Sequence, residues 1–221
     1  MNEMKTVSVV IPTLNEAEAI RDVIEEILKN KLKERDYELE IIVVDGGSND
    51  GTVEMMEGLD VKIIRDDDGK ADAVRKGFEA AEGYYLFLID GDGSYPADKI
   101  ANMVEVLDDG YDMVLGSRFA GKIDKGAMSL RNKIGNKILT WLGNLLYGTS
   151  VSDICTGLRG IRAEEIDNLP GDGFEIEAGI HMMMSDKDIE EIPIHYEKRK
   201  GNSKLRLWDG FKIGWRLLKG K

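Results

Sequence analysis

The 221-residue sequence has one cysteine, two histidines and four prolines, and only 7% of its residues are aromatic. With Cys155 alone, no intramolecular disulfide can form, which fits a reducing compartment and removes a disulfide framework as a source of stability. Neither His181 nor His195 has a serine or cysteine partner in a recognisable triad setting, and His181 sits in the packing context His181-Met182-Met183-Met184. Cys155 lacks a C-x-x-C partner, and the glycine signatures of P-loops and dinucleotide-binding folds are missing. Residues 1–6 hold no apolar signal core. No uncharged run approaches the roughly 20 residues of a spanning helix. The longest, 138–152, is interrupted by Gly143, Asn144, Gly148 and Thr149. These absences predict a chain that is soluble or peripheral to a membrane.

Charge is plentiful, at 33% of residues with a net −12. Such an excess of acid excludes a general nucleic-acid binder, which needs clustered cations for phosphates. The distribution is uneven. Residues 196–221 are rich in Lys and Arg, opposed only by Glu197 and Asp209, and residues 116–149 are opposed only by Asp124. An acidic first half and two basic later segments predict a polyanionic partner for the basic side.

Near-continuous apolar strands alternate with helical spacings. The pattern predicts strands over 7–11, 41–44, 61–64, 84–89 and 113–115, and helices over 18–32, 70–81 and 98–107, with Asp50-Gly51-Thr52 opening another helix. This predicts one α/β domain over 1–221, a mostly parallel, Rossmann-like sheet covered by helices on both faces. In such folds ligands bind beyond the carboxyl ends of the strands. Three polar motifs fall there: Pro12-Thr13-Leu14-Asn15-Glu16, Asp45-Gly46-Gly47-Ser48-Asn49-Asp50-Gly51-Thr52, and the loop opening with Asp90-Gly91-Asp92.

The Asp90-Gly91-Asp92 pair suits a hard divalent cation, Mg²⁺ or Mn²⁺, bridging the phosphates of a nucleotide. By itself it reads more readily as an acidic turn whose glycines serve the backbone; its place directly after the apolar run 84–89, together with the other motifs, turns the reading to a metal site. Asp45 could hydrogen-bond a nucleoside, or the loop could simply cap a helix. Lys70, Asp72 and Arg75 could meet a diphosphate sugar, or be solvated charges on a helix. Glu175 and Glu177 lie on an exposed strand or a first helical turn, within reach of a sugar or a metal shell. Two stretches are amphipathic. In 133–147, Ile134, Ile138, Trp141, Leu142 and Leu145 oppose Lys133, Lys137, Thr140 and Asn144; in 207–219, Trp208, Phe211, Trp215 and Leu218 oppose Lys212, Arg216 and Lys219. Both patterns suit a membrane interface, and equally the core face of a helix or a dimer contact.

As a set these motifs resemble glycosyltransferase family 2, the inverting enzymes of the GT-A fold, and in particular the polyprenyl- and dolichyl-phosphate sugar synthases. The likeness extends through Gly116-Ser117-Arg118, Ser152-Asp153-Ile154-Cys155-Thr156-Gly157-Leu158-Arg159 and Arg199-Lys200-Gly201-Asn202-Ser203-Lys204. It implies that Pro12, Asn15, Glu16, Asp45, Lys70, Asp72 and Asp90 hold a nucleotide sugar. It further implies that Asp90 and Asp92 bind Mg²⁺ or Mn²⁺, and that Arg118, Arg131, Arg199 and Lys204 grip the acceptor's phosphate, with Asp92 and Arg118 catalytic. Guanidinium groups match phosphate oxygens, and a phosphate nucleophile needs no strong base, in keeping with the scarcity of histidine. Gly46 and Leu14 depart from residues common in the family, and Ser94 stands where mannosyl enzymes often carry Gln. The stretch 69–75 is more like glucosyl-type enzymes and points to a UDP-linked hexose or N-acetylhexosamine.

The expectation is therefore transfer of that sugar to dolichyl or polyprenyl phosphate. The enzyme would be peripheral on the cytoplasmic face of a membrane, with residues 205–221 as an interfacial helix and a homo-oligomer or membrane-anchoring partner left open. GDP-mannose as donor and a non-lipid acceptor are the rival expectations, and a degenerate, non-enzymatic scaffold is a third.

Overall fold

The computed structural model describes residues 4–30, 32–166, 169, 173–201 and 207–220. Seven strands form one sheet: β1 (Lys5–Thr13), β2 (Tyr37–Asp45), β3 (Lys62–Arg65), β4 (Tyr85–Leu88), β5 (Met113–Ile123), β6 (Arg159–Arg162) and β7 (Ile189–Tyr196). Their order is β3-β2-β1-β4-β6-β5-β7. All neighbouring pairs are parallel except those of β6, which runs antiparallel between β4 and β5. Among the described residues six α-helices flank the sheet: α1 (Ile20–Leu28), α2 (Lys70–Glu79), α3 (Ile100–Asp108), α4 (Leu130–Tyr147), α5 (Ile176–Met183) and α6 (Leu207–Lys219). The α/β class and mostly parallel sheet agree with the sequence pattern. Strands β6 and β7 were not anticipated.

Successive residues of 9–11 in β1 and 41–44 in β2 are buried on alternate faces, which is why these central stretches are uninterrupted apolar runs. Val9, Ile11, Ile41 and Val43 join α1 and α3 in one core; Val10, Ile42 and Val44 join α2 and α5 in the other. Each such fully buried side chain favours the folded state by about 1.5–3 kcal/mol. The helix expected after Asp50 is replaced by a single 3-10 turn, Glu54–Met56. Asp50 Oδ1 accepts from Thr52 N at 3.0 Å, and Oδ2 accepts from Ala17 N at 3.1 Å. The aspartate thus ties its loop to the end of β1 rather than starting a long helix.

Helix α4 turns a mixed side inward, where Leu139, Leu142 and Tyr147 pack against the core beside its polar groups, so Leu142 does not share the exposed face expected for it. Thr140 and Gly143 are buried, and Asn144 Nδ2 donates to Val151 O at 2.7 Å while its Oδ1 accepts from Thr149 Oγ1 at 2.8 Å. Leu130, Ile134, Ile138, Trp141 and Leu145 form an outward stripe, with Trp141 63% and Leu145 65% exposed. On α6, Ile213 and Leu217 are buried, whereas Trp215 and Leu218 are exposed; Trp208 and Phe211 have no described side chains. No helix among the described residues is long and apolar enough to cross a membrane.

Candidate active site

The ends of β1 and β2 are stitched together by short hydrogen bonds. Gly46 N donates to Thr13 O at 2.8 Å, Asn15 N to Ser48 Oγ at 2.8 Å, Glu16 N to Thr52 Oγ1 at 2.8 Å, and Asn49 N to Asn15 Oδ1 at 2.9 Å. Asn15 sits at φ 52, a left-handed conformation that asparagine tolerates. The Asp45 carboxylate turns back on its own loop, accepting from Gly47 N at 3.2 Å, Ser48 N at 3.1 Å and Ser48 Oγ at 2.5 Å. Asn15 and Asp45 therefore build the loops that wall the site.

Beside these loops lies a cavity of about 870 Å³ whose lining includes Pro12, Glu16, Lys70, Asp90, Asp92, Arg118, Glu177, Tyr196 and Arg199. Lys70 comes from the first turn of α2 and stands between Asp90 Oδ1 at 2.8 Å and Glu177 Oε1 at 2.6 Å. Burial opposes the Lys70 ammonium, but the two carboxylates outweigh it and raise its pKa above the ordinary lysine value. The same balance holds for Asp90: burial would raise its pKa, and the charge and hydrogen bond of Lys70, with the Arg199 and Arg118 charges, together more than reverse this. Asp92 has one oxygen fixed by Ser94, whose N donates to Oδ1 at 2.9 Å and whose Oγ donates at 2.5 Å. The other oxygen, Oδ2, meets Arg199 Nη2 at 3.0 Å, and the same guanidinium reaches Glu16 Oε1 at 3.3 Å. Gly157 passes so close that a Cβ there would lie 2.3 Å from Asp90 Oδ2.

Arg118, on β5, is buried and bonded edge-on to the fully buried Asp153, Nε to Oδ2 and Nη2 to Oδ1, both at 2.7 Å. Its guanidinium carbon lies 5.4 Å from the Tyr196 ring centroid and 5.9 Å from that of Phe119. Glu191 on β7 holds the 152–153 backbone by accepting from Ser152 N at 2.8 Å and Asp153 N at 3.2 Å.

The cavity thus brings together Pro12, Glu16, Lys70, Asp90, Asp92, Arg118 and Arg199 of the expected set. Asp72 instead pairs with Arg75 at 2.6 Å along α2, and Arg131 is exposed on the first turn of α4, outside the described lining. Lys204 lies outside the described residues. Glu177 occupies a first helical turn and is buried, settling the earlier choice between strand and helix. Tyr196 carries no expectation as a site residue, while Asp153 and Ser94 enter only through the family-like stretches, with no role assigned to them. For Asp153 the signal was available: it is the first acid after Asp124 in a long basic and apolar stretch.

Among the described residues no group of three or more His, Cys, Asp or Glu side chains is arranged to hold a metal ion. Mg²⁺ and Mn²⁺ do not require one, since such ions are commonly held by one or two carboxylates with substrate phosphates and waters. The pair Asp90 and Asp92 fits that mode: each presents an oxygen to a positive charge in this structure, Lys70 Nζ and Arg199 Nη2 respectively.

Residues 8–169 match the model of glycosyl transferase family 2. The chain is 33% identical over 207 residues to glycosyltransferase AglJ of Haloferax volcanii, covering 91% of this chain and 66% of that protein. It is 32% identical to the dolichyl-phosphate hexose transferase of the same organism, covering 90% of this chain and 86% of the relative. Among solved structures, glucosyl-3-phosphoglycerate synthase from Mycobacterium tuberculosis, in complex with Mn²⁺, uridine diphosphate and phosphoglyceric acid, superimposes with a TM-score of 0.73 at 21% identity, covering 97% of this chain and 76% of that one. That likeness establishes the shared fold. With its strand-end loops converging on Asp90 and Asp92 and its family match running from β1 to beyond β6, the chain belongs to glycosyl transferase family 2.

Proposed function

We propose that this chain transfers a sugar from a nucleotide-sugar donor, a UDP-linked hexose or N-acetylhexosamine, to a polyprenyl (dolichyl-type) phosphate, with inversion and with Mg²⁺ or Mn²⁺. The observation that carries this reading is the gathering of acidic and basic groups in one cavity: Asp90, Asp92 and Lys70 line it together with Arg118 and Arg199. The relatives' names support the lipid phosphate, and the Mn²⁺ and UDP of the M. tuberculosis enzyme support the donor side.

In this reading Lys70 and Asp90 orient the donor, while Asp92 with Asp90 holds the cation. When bound, the cation neutralises charge building on the departing diphosphate. Arg118 and Arg199 fix the acceptor phosphate, one of whose oxygens attacks the anomeric carbon. The new O–C1 bond forms as the C1–O bond to the diphosphate breaks, and the nucleoside diphosphate leaves with that electron pair. A phosphate monoester is already anionic, so positioning and electrostatics suffice. The outward stripe of α4, with Trp215 and Leu218 of α6, lies against the membrane that carries the acceptor, its flanking Lys133 and Lys137 near anionic headgroups. The test is incubation with labelled UDP- and GDP-sugars, polyprenyl phosphate and MnCl₂. Label from a UDP-sugar extracted with the lipid supports the reading; a GDP-sugar product corrects the nucleotide; label found only in water-soluble product refutes the acceptor.

A further inference from the structure

We infer that Arg199 is an exchangeable counterion: it occupies the cation's seat on Asp92, and its displacement by the metal releases it to bind the acceptor's phosphate. The inference rests on the proposed reading of Asp92 and Arg199 and adds an order to the binding events.

The segment after β7 closes directly over the Asp92 loop. Glu197 N donates to Ser94 O at 3.0 Å and Lys200 N to Asp92 O at 3.0 Å, while Lys200 Nζ anchors on Asp22 Oδ2 at 2.6 Å. These bonds hold Arg199 with Nη2 3.0 Å from Asp92 Oδ2 and 3.3 Å from Glu16 Oε1. Ser94 has already fixed the other oxygen of Asp92. Oδ2 is therefore the oxygen left for a cation, and a guanidinium sits on it. A metal ion and this guanidinium cannot share that oxygen at close range, because like charges in a low-dielectric cleft repel strongly. The guanidinium is about one-quarter exposed and ends a long flexible side chain, whereas Asp92 is buried. Arg199 is thus the partner that moves. Arg118 already spends its Nε–Nη2 edge on Asp153, so a freed Arg199 supplies the second guanidinium that a phosphate needs. Donor and metal binding thereby create the acceptor site.

The test is Mn²⁺ titration of the full chain, following the free ion by electron paramagnetic resonance, for the unaltered protein, Arg199→Met and Arg199→Lys. Arg199→Met should bind Mn²⁺ about tenfold tighter, since it removes a positive charge within contact distance of the ligand oxygen, and Arg199→Lys should stay near the unaltered value. In a second arm, calorimetry with geranyl phosphate should show about tenfold tighter binding when Mn²⁺ and UDP are present, a coupling lost in Arg199→Met. Circular dichroism confirms that each variant is folded. Equal or weaker Mn²⁺ binding by folded Arg199→Met, or uncoupled geranyl phosphate binding by the unaltered chain, overturns the exchange alone. Mn²⁺ binding that is indifferent to Asp92→Asn overturns the metal reading beneath it, and the exchange with it.

Discussion

Arg118 and Asp153 are joined along two parallel hydrogen bonds of 2.7 Å, and the backbone N–H of Arg118 adds a third to Asp153 Oδ2 at 3.1 Å. Both side chains are almost wholly removed from solvent, Asp153 completely. A buried pair of this kind fixes geometry more than it adds net stability, but breaking it strands a charge. Asp153→Asn should cost about 3 kcal/mol in urea unfolding and raise the KM for the lipid phosphate by loosening Arg118. The Arg118→Met/Asp153→Asn double variant should be less destabilised than the sum of the two single changes. Additive losses would mean that the two residues act independently.

Gly157 gives Asp90 its room. A methyl group there would meet Asp90 Oδ2 at 2.3 Å and Tyr95 Cε2 at 3.1 Å. Gly157→Ala should push the carboxylate off Lys70 and weaken UDP binding by about tenfold, a loss of roughly 1.4 kcal/mol. Calorimetric titration with UDP and MnCl₂ measures it, and unchanged affinity would show that Asp90 has no part in holding the donor.

His181 makes stability depend on pH. It is fully buried and shares a hydrogen bond of 2.9 Å with Thr149. Burial, and then the nearby Arg159 charge, push its pKa down to about 4 from 6.5. Between those values the unfolded chain takes up a proton that the folded chain refuses, so stability falls as the pH drops through this window and is unaffected above it. At pH 5 the loss from this residue should be about 2 kcal/mol relative to pH 7. Urea unfolding at the two pH values should show that loss shrinking by a similar amount in His181→Gln. An identical drop in both proteins would assign the acid sensitivity to other groups.

The α4 stripe is exposed, so its residues can be changed without disturbing the core. Ile138→Glu and Trp141→Glu, at 58% and 63% exposure, should alter folding free energy by no more than about 0.5 kcal/mol. The pair should nevertheless abolish co-sedimentation with anionic phospholipid vesicles and depress transfer to membrane-embedded acceptor. Vesicle binding that survives both changes would contradict the proposed membrane contact through α4.

The parts of the site that were legible in the sequence are those built from local chemistry. Asp90-Gly91-Asp92, Pro12 and Glu16 follow apolar strands, and a polar strand end in an α/β fold points to the ligand crevice without further information. What stayed hidden depends on partners distant in sequence. Asp153 becomes a site residue only because β5 brings Arg118 against it, 35 positions away. The strand β6 reads Arg159-Gly160-Ile161-Arg162, too polar and too short to announce itself, yet Arg159 is fully buried and bonded to the carbonyls of Thr156 at 2.5 Å and Glu177 at 2.8 Å. Similarly, the periodicity of α4 identifies two faces but not which one turns inward. Here Asn144 and Thr140 satisfy the backbone of the 149–154 loop, and that requirement sends the stripe from Leu130 through Trp141 to Leu145 out while Leu139 and Leu142 pack inward. Asn15, Asp45 and Asp72 lie in or beside these loops, where their side chains bond Asn49 N, the 47–48 turn and Arg75.

The central claim is that Asp90 and Asp92 hold a cation-bound diphosphate at the tips of β1 and β4. Crystals grown with UDP and MnCl₂, with data collected at the manganese absorption edge, test it directly. The account predicts one anomalous peak on Asp92 Oδ2, shared with the diphosphate oxygens, with Arg199 moved off that oxygen. Diphosphate bound without manganese at Asp92, or bound away from the two aspartates altogether, would contradict it.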